Sequence, residues 1–349
     1  MTDTHDNEVM IIKKPLALVL GATGGIGGAV AQKLLDQGYD VRALHRKAHE
    51  QALKAPHYEW VAGDAMNRED VMRAASGAAL IVHAVNPPGY RNWGTLVLPM
   101  IYNTIAAAKA VQARILMPGT IYNYGPETFD CVVEDSPQHP VSAKGRIRVV
   151  LEQRLEAAAR AGTQVILVRA GDFFGPGAGN NWFAQAVVKP GAALKAITNP
   201  GAPGIGHQWA FLPDVAETMV RLVARADELP AFARFHMEGF RDHDGQQLAE
   251  AIRRVTGKAG LPVRPFPWWM LRLASPFVPV FRELLEMRYL WKTELYLSND
   301  RLKAFLGEEP RTPIAEAVRE TLKGLGCLDV GPEAALETSG IASGMRVSA

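Results

Sequence analysis

Gly21, Gly24 and Gly27 recur at a spacing of three, directly after the apolar run Leu16 to Leu20 and before Ala29 to Leu35, whose apolar residues fall at helical intervals. A buried strand, a tight glycine turn and an exposed helix start make a seat for phosphate. Glycine lets backbone N–H groups close on the oxygens, and the helix N-terminus adds partial positive charge. The chemistry implied is the binding of a dinucleotide pyrophosphate. A second candidate stands at the end of the next strand, where His45 precedes Arg46 and Lys47. An acid there would hold the ribose 2′-hydroxyl of NAD, whereas an arginine accepts the 2′-phosphate of NADP. The basic turn favours NADP, with NAD as the alternative; without a ligand it is a solvated turn.

These groups need a scaffold. Residues 16–20, 40–45, 58–62, 79–84, 114–117 and 164–168 read as strands, with helices over 26–37, 68–75, 95–111 and 148–161. Alternation with few hairpin signals predicts an α/β fold, a doubly wound parallel sheet of Rossmann type whose ligands sit beyond the strands' carboxyl ends. Residues 15–175 are expected to form the nucleotide domain, rejoined by a segment around 205–240. Residues 176–328 are expected to form mainly a smaller C-terminal α/β substrate lobe, and 1–14 and 329–349 flexible tails.

The 349 residues, 48% hydrophobic, suffice for a full core, and a net charge of +2 without a basic run gives no reason to expect nucleic acid. Two cysteines far apart in sequence, Cys131 and Cys327, fit neither a disulfide framework nor a metal cluster and suit a cytoplasmic setting. The first dozen residues lack an apolar signal core, and no uninterrupted apolar run reaches membrane-spanning length.

Several motifs in one order carry a family resemblance. Gly21-x-x-Gly24-x-x-Gly27, Gly63-Asp64-Ala65, Tyr124-Gly125-Pro126, Arg169-Ala170-Gly171-Asp172-Phe173-Phe174-Gly175-Pro176 and Phe211-Leu212-Pro213-Asp214-Val215-Ala216 make residues 16–322 resemble the extended short-chain dehydrogenase/reductases, the NAD(P)-dependent epimerase/dehydratase group. The resemblance implies that Gly21, Thr23, Gly24, Gly25, Ile26 and Gly27 cradle the pyrophosphate and that Arg46 meets the adenosine ribose side. It places Asp64 and Ala65 against adenine, and Ala84 and Val85 beneath the ribose and nicotinamide. Thr120 falls where the family keeps a catalytic Ser or Thr, and Asn86, beyond the fourth strand, becomes a candidate substrate contact.

The family's Tyr-x-x-x-Lys pair is where the chain departs. The stretch Pro137 to Glu152 contains Pro140, Lys144 and Arg148 but no tyrosine. In one register Lys144 is the family lysine and Pro140 stands for the phenol; in the other, set by Glu152, Lys144 replaces the tyrosine and Arg148 the lysine. Tyr122 or Tyr124 beside Thr120, or a desolvated Lys144, could move the proton instead. Alternatively the reaction needs no strong acid, or the chain binds NADP without turnover as a regulator or subunit. Two further departures disfavour a nucleotide-sugar epimerase or dehydratase: Asp172 stands where such members carry Asn, and His207 where they carry a diphosphate-gripping Arg. Asp172 and His207 remain candidate substrate contacts, as does Trp182 in a Gly/Pro-rich pocket wall. The segment Val263 to Met270, rich in Trp and Phe, is expected to pack the small lobe or a homodimer face rather than a membrane surface. The reading is an NADP-preferring oxidoreductase of a small non-nucleotide carbonyl or alcohol, without metal.

Overall fold

The computed structural model describes residues 14–87, 92–177 and 181–328. The expected tails, apart from Lys14, lie outside these residues. The first half alternates strand and helix: β1 (Leu16–Leu20), α1 (Gly25–Asp36), β2 (Asp40–His45), α2 (Ala48–Lys54), β3 (Glu59–Ala62), α3 (Arg68–Ala74) and β4 (Ala78–His83). It continues through α4 (Trp93–Val111), β5 (Arg114–Pro118), α5 (Ala143–Arg160) and β6 (Val165–Arg169). Then come β7 (Asp172–Phe174), β8 (Ile197–Asn199), β9 (His207–Phe211), α6 (Leu212–Ala224), β10 (Phe232–His236), β11 (Phe240–Asp242), α7 (Gln247–Thr256) and β12 (Val263–Pro265). Helices α8 (Trp268–Ala274), α9 (Pro279–Glu286), α10 (Asp300–Leu306) and α11 (Ile314–Gly324) follow.

Seven strands pair in parallel in the order β10-β6-β5-β4-β1-β2-β3. Both faces are covered, so adjacent residues of a strand enter different cores. Ala17 and Val19 of β1 pack with α1 and α6, while Leu18 and Leu20 pack with α3 and α4. Helix α6 and strand β10 belong to this layered half although they follow β9 in sequence. A smaller sheet, β11-β9-β7, and the β12-β8 pair build the rest with α7, α8, α9 and α11. Asp214, in the first turn of α6, accepts the Thr312 N–H at 2.8 Å and its hydroxyl at 2.7 Å, tying the approach to α11 onto the layered half.

Two elements differ from their sequence expectation. Helix α5 begins at Ala143 rather than Arg148, because Ser142 caps it by accepting the Gly145 N–H at 3.0 Å. Gly145 is what lets this first turn approach: a Cβ there would lie 2.1 Å from the Tyr122 carbonyl oxygen. The aromatic segment divides. Phe266, Trp268 and Leu271 pack inward as expected, whereas Trp269, Met270, Leu273 and Phe277 point outward on the opposite face of α8 and the turn after it. Among the described residues α4 is the one helix long and apolar enough to cross a membrane by length and composition. It buries Val97, Ile101, Ala107 and Ala108 as a layer of this fold.

The glycine turn is held by sterics. Gly21 has φ +96°, and a Cβ on Gly27 would lie 2.1 Å from the Gly21 carbonyl oxygen. Gly27→Ala is therefore expected to cost about 3 kcal/mol of stability, read from urea unfolding. A loss below about 0.5 kcal/mol would show that α1 does not press on the turn.

Candidate active site

Above the carboxyl ends of β1, β2, β4 and β5 lies a cavity of about 690 Å³. It sits where the strand order reverses between β1 and β4, the position at which open parallel sheets hold ligands. One end is the glycine turn. Gly21, Thr23, Gly24, Gly25 and Ile26 line it, and the N-terminus of α1 behind them has neither a side-chain cap nor an acid in its first turn. An uncapped helix start at a cavity wall offers N–H donors to an anion. Gly27 is not on the wall; it holds α1 against the Gly21 carbonyl. These residues fit a pyrophosphate group.

The adjoining wall carries His45, Arg46, Asp64 and Ala65. Lys47 is paired with Glu50 at 3.0 Å, so Arg46 is the cation of this turn that faces the cavity. Asp64 is fixed by accepting the Met66 N–H at 3.0 Å, and Ala65 by its carbonyl, which accepts from Asn103 at 2.9 Å. Ala84, Val85 and Asn86 continue the wall after β4.

Thr120, Tyr122 and Arg148 also line the cavity. The Thr120 hydroxyl donates to Asn123 Oδ1 at 3.3 Å, and Asn123 donates to Gln138 at 3.1 Å. Arg148 donates to Asn86 Oδ1 at 3.3 Å and lies 5.0 Å over the Trp93 ring, which neighbours Tyr122. His83 forms the floor. Thr104 gives its hydroxyl hydrogen to the Met100 carbonyl, so its oxygen accepts from His83 Nδ1 at 2.8 Å and the His83 Nε2 keeps a lone pair. Burial, reinforced by the Arg148 charge, pushes the His83 ring down to about 3, so it stays neutral.

The far wall holds Asp172 and Trp182. His207 does not reach the cavity. Its Nε2 donates to Asp172 Oδ2 at 2.8 Å, and its ring stacks on Trp291 with centroids 3.8 Å apart. Trp182 touches Phe266, Trp268 and Trp291, an aromatic wall on the side of the smaller lobe.

Three expectations need correction. Lys144 is buried but turned away from the cavity into a clamp with Glu283 and Glu286 of α9, the latter at 2.8 Å. It does not line the cavity, and two carboxylates engage its ammonium. Arg148, one turn on, lines the cavity, which favours the register set by Glu152. Tyr124 is fully buried, accepts from Arg169 at 2.7 Å and meets His236 at 3.1 Å; burial pushes its phenol up to about 12. That leaves Tyr122 as the phenol on the cavity. His207 acts on Asp172 rather than on a ligand. Arg148 could be anticipated from its spacing to Glu152, whereas nothing in the sequence signals His83 or Trp93. No metal-ligating cluster occurs among the described residues.

A parallel Rossmann-type sheet with its cavity at the switch point defines the class of protein. A model of the NAD dependent epimerase/dehydratase family matches residues 17–236, and the chain belongs to that family. It is 31% identical over 171 residues to dTDP-6-deoxy-L-talose 4-dehydrogenase (NAD(P)(+)) of Kitasatospora kifunensis, covering 46% of this chain and 52% of the relative. It is also 31% identical over 93 residues to sterol-4-alpha-carboxylate 3-dehydrogenase, decarboxylating, of Mus musculus, covering 26% of this chain and 24% of the relative. The chain thus spans about half the length, or less, of the curated relatives it matches. Among solved structures, UDP-N-acetylglucosamine 4-epimerase from Bacillus cereus superposes with TM-score 0.68 at 18% identity, covering 92% of this chain and 99% of that one. UDP-glucuronic acid 4-epimerase from Bacillus cereus in complex with NAD gives 0.67 at 15%, covering 90% and 99%. At such identities these two share the fold.

Two outcomes test the geometry. Lys144→Ala should lower stability by about 2 kcal/mol, since Glu283 and Glu286 then face each other across a part-buried gap, while leaving dinucleotide affinity unchanged by calorimetry. A loss of affinity would return Lys144 to the site. His83 takes up its proton at about 3 in the folded chain, against an ordinary 6.5. The unfolded chain therefore binds more protons between these values, and stability should fall as pH drops from about 6.5 towards 3. His83→Asn should flatten that fall in urea titrations; an unchanged slope would mean the ring charges without cost.

Proposed function

We propose that this protein is an NADP-preferring oxidoreductase acting on an apolar, non-nucleotide alcohol or carbonyl compound. One observation carries the reading: the uncapped α1 N-terminus, Arg46, Thr120 and Tyr122 line the same cavity. When bound there, a nicotinamide dinucleotide supplies hydride transfer. The chain does the rest. Thr120, steadied by Asn123, orients the substrate oxygen. Tyr122 donates or takes that oxygen's proton, with Arg148 lining the same cavity.

The substrate class follows from the far wall. The Asp172 carboxylate adds negative charge there, and His207 spends its Nε2 hydrogen on Asp172. Neither suits a diphosphate. Trp182 backed by Phe266 and Trp268 suits an apolar or aromatic ligand. A second reading, an NADP-binding regulator without turnover, is favoured by the sequestration of Lys144 and the absence of a phenol from α5.

Purified protein should oxidise NADPH with members of a panel of apolar ketones, aldehydes and lactones. Tyr122→Phe should lower kcat about a hundredfold or more with dinucleotide affinity retained. Arg46→Asp should weaken NADP binding at least about tenfold and NAD binding little. Tight NADPH binding with no turnover across the panel would select the regulator reading. Equal losses for NADP and NAD would remove the preference.

A further inference from the structure

We propose that the outward face of α8 and the turn after it docks the protein on an anionic lipid surface. Trp269, Met270, Leu273 and Phe277 are 66%, 50%, 69% and 86% exposed, a density of large apolar side chains found nowhere else among the described residues. The spacing is helical. Met270, Leu273 and Phe277 follow at three and four residues, and Trp269 precedes Leu273 by four, so the side chains share one outward surface while Trp268 and Leu271 anchor the opposite one. Trp268 is held from within by its Nε1–H, which donates to the Pro200 carbonyl at 2.9 Å, and by packing 5.8 Å from Trp182. The outward surface is therefore presented on a fixed support, not by a frayed end.

Charge selects the occupant. From Pro262 to Arg282 the chain carries Arg264, Arg272 and Arg282, all exposed, and no acidic residue. The next carboxylates along the chain, Glu283 and Glu286, are engaged by Lys144. Apolar side chains, a tryptophan among them, interleaved with arginines alone match a lipid interface with negative headgroups. A second copy meets the same patch less well, because a two-fold contact would press two patches that both carry arginines without acids against each other. The docked face lies one helix, about 10 Å, from the aromatic wall of the cavity. This inference stands on surface residues and does not depend on the proposed reaction.

The test is co-sedimentation of the full chain with vesicles of phosphatidylcholine alone or mixed with phosphatidylserine. Binding should be about tenfold or more stronger with phosphatidylserine and should weaken as salt rises. Trp269→Ser with Phe277→Ser should abolish it, and Arg272→Gln with Arg282→Gln should remove the phosphatidylserine preference. Unaltered thermal melting of these surface variants, alone and with NADPH, separates a docking defect from misfolding. Absence of binding to either vesicle, or binding that survives the Trp269/Phe277 change, overturns the proposal. So does a dimer in sedimentation that this change dissolves, which would make the face a contact between copies.

Discussion

Arg169, at the end of β6, is fully buried, and a guanidinium taken out of water is stable only when every donor finds an acceptor. Its Nε donates to Glu152 Oε1 at 3.1 Å, a second nitrogen to the other Glu152 oxygen, and its Nη1 to Tyr124 at 2.7 Å and His236 Nε2 at 3.0 Å. His236 accepts there, so its Nδ1 carries the hydrogen given to the Val132 carbonyl at 3.2 Å; burial and the Arg169 charge hold its ring well below the ordinary range. One cation thus joins β6, α5, β10 and the loop after β5. The same pair reaches the cavity: Gln138 spans from Glu152 to Asn123, and Asn123 takes the Thr120 hydroxyl. The loop bearing Thr120 and Tyr122 is thus positioned by the Arg169–Glu152 pair, directly through Tyr124 and indirectly through Gln138 and Asn123.

That arrangement explains why the departures from the family pattern fall together. With Tyr124 and Glu152 committed to Arg169, and Lys144 committed to α9, neither the first turn of α5 nor the Tyr-Gly pair supplies an acid to the cavity. The Lys144 clamp instead fastens α9, and with it the aromatic lobe, to the nucleotide half. Asp172 and His207 change in concert in the same way. Two positions that would face a diphosphate in a sugar-nucleotide enzyme satisfy one another, with His207 further held by Trp291. The Asp172 carboxylate is thus met by an internal partner, and Trp182 on the same cavity wall is backed by Phe266 and Trp268.

Much of this was legible in the sequence because local signals agreed. The run Leu16 to Leu20 followed by glycines at three-residue intervals announces strand, turn and helix, and a parallel sheet covered on both faces follows from repeated strand–helix alternation. Arg46 could be placed on the cavity because it sits at a strand's carboxyl end, and Asp64 and Thr120 because the family resemblance puts them there. Lys144, Tyr124 and His207 could not. Their side-chain directions are set by Glu283, by Arg169 and by Asp172, partners from 35 to 139 residues away. The start of α5 lies upstream of its expected bound for a related reason: its first turn packs against the Tyr122 carbonyl, a contact 23 residues away along the chain that Gly145 makes room for.

The decisive measurement is a crystal structure of the complex with NADPH. In it the pyrophosphate is expected against Gly25 and Ile26 at the α1 N-terminus, the 2′-phosphate at Arg46, and the nicotinamide between Val85 and the Thr120–Tyr122 pair, with Lys144 still on Glu286. Density for the dinucleotide elsewhere, or a nicotinamide contacted by Lys144 with Tyr122 turned away, would contradict this arrangement.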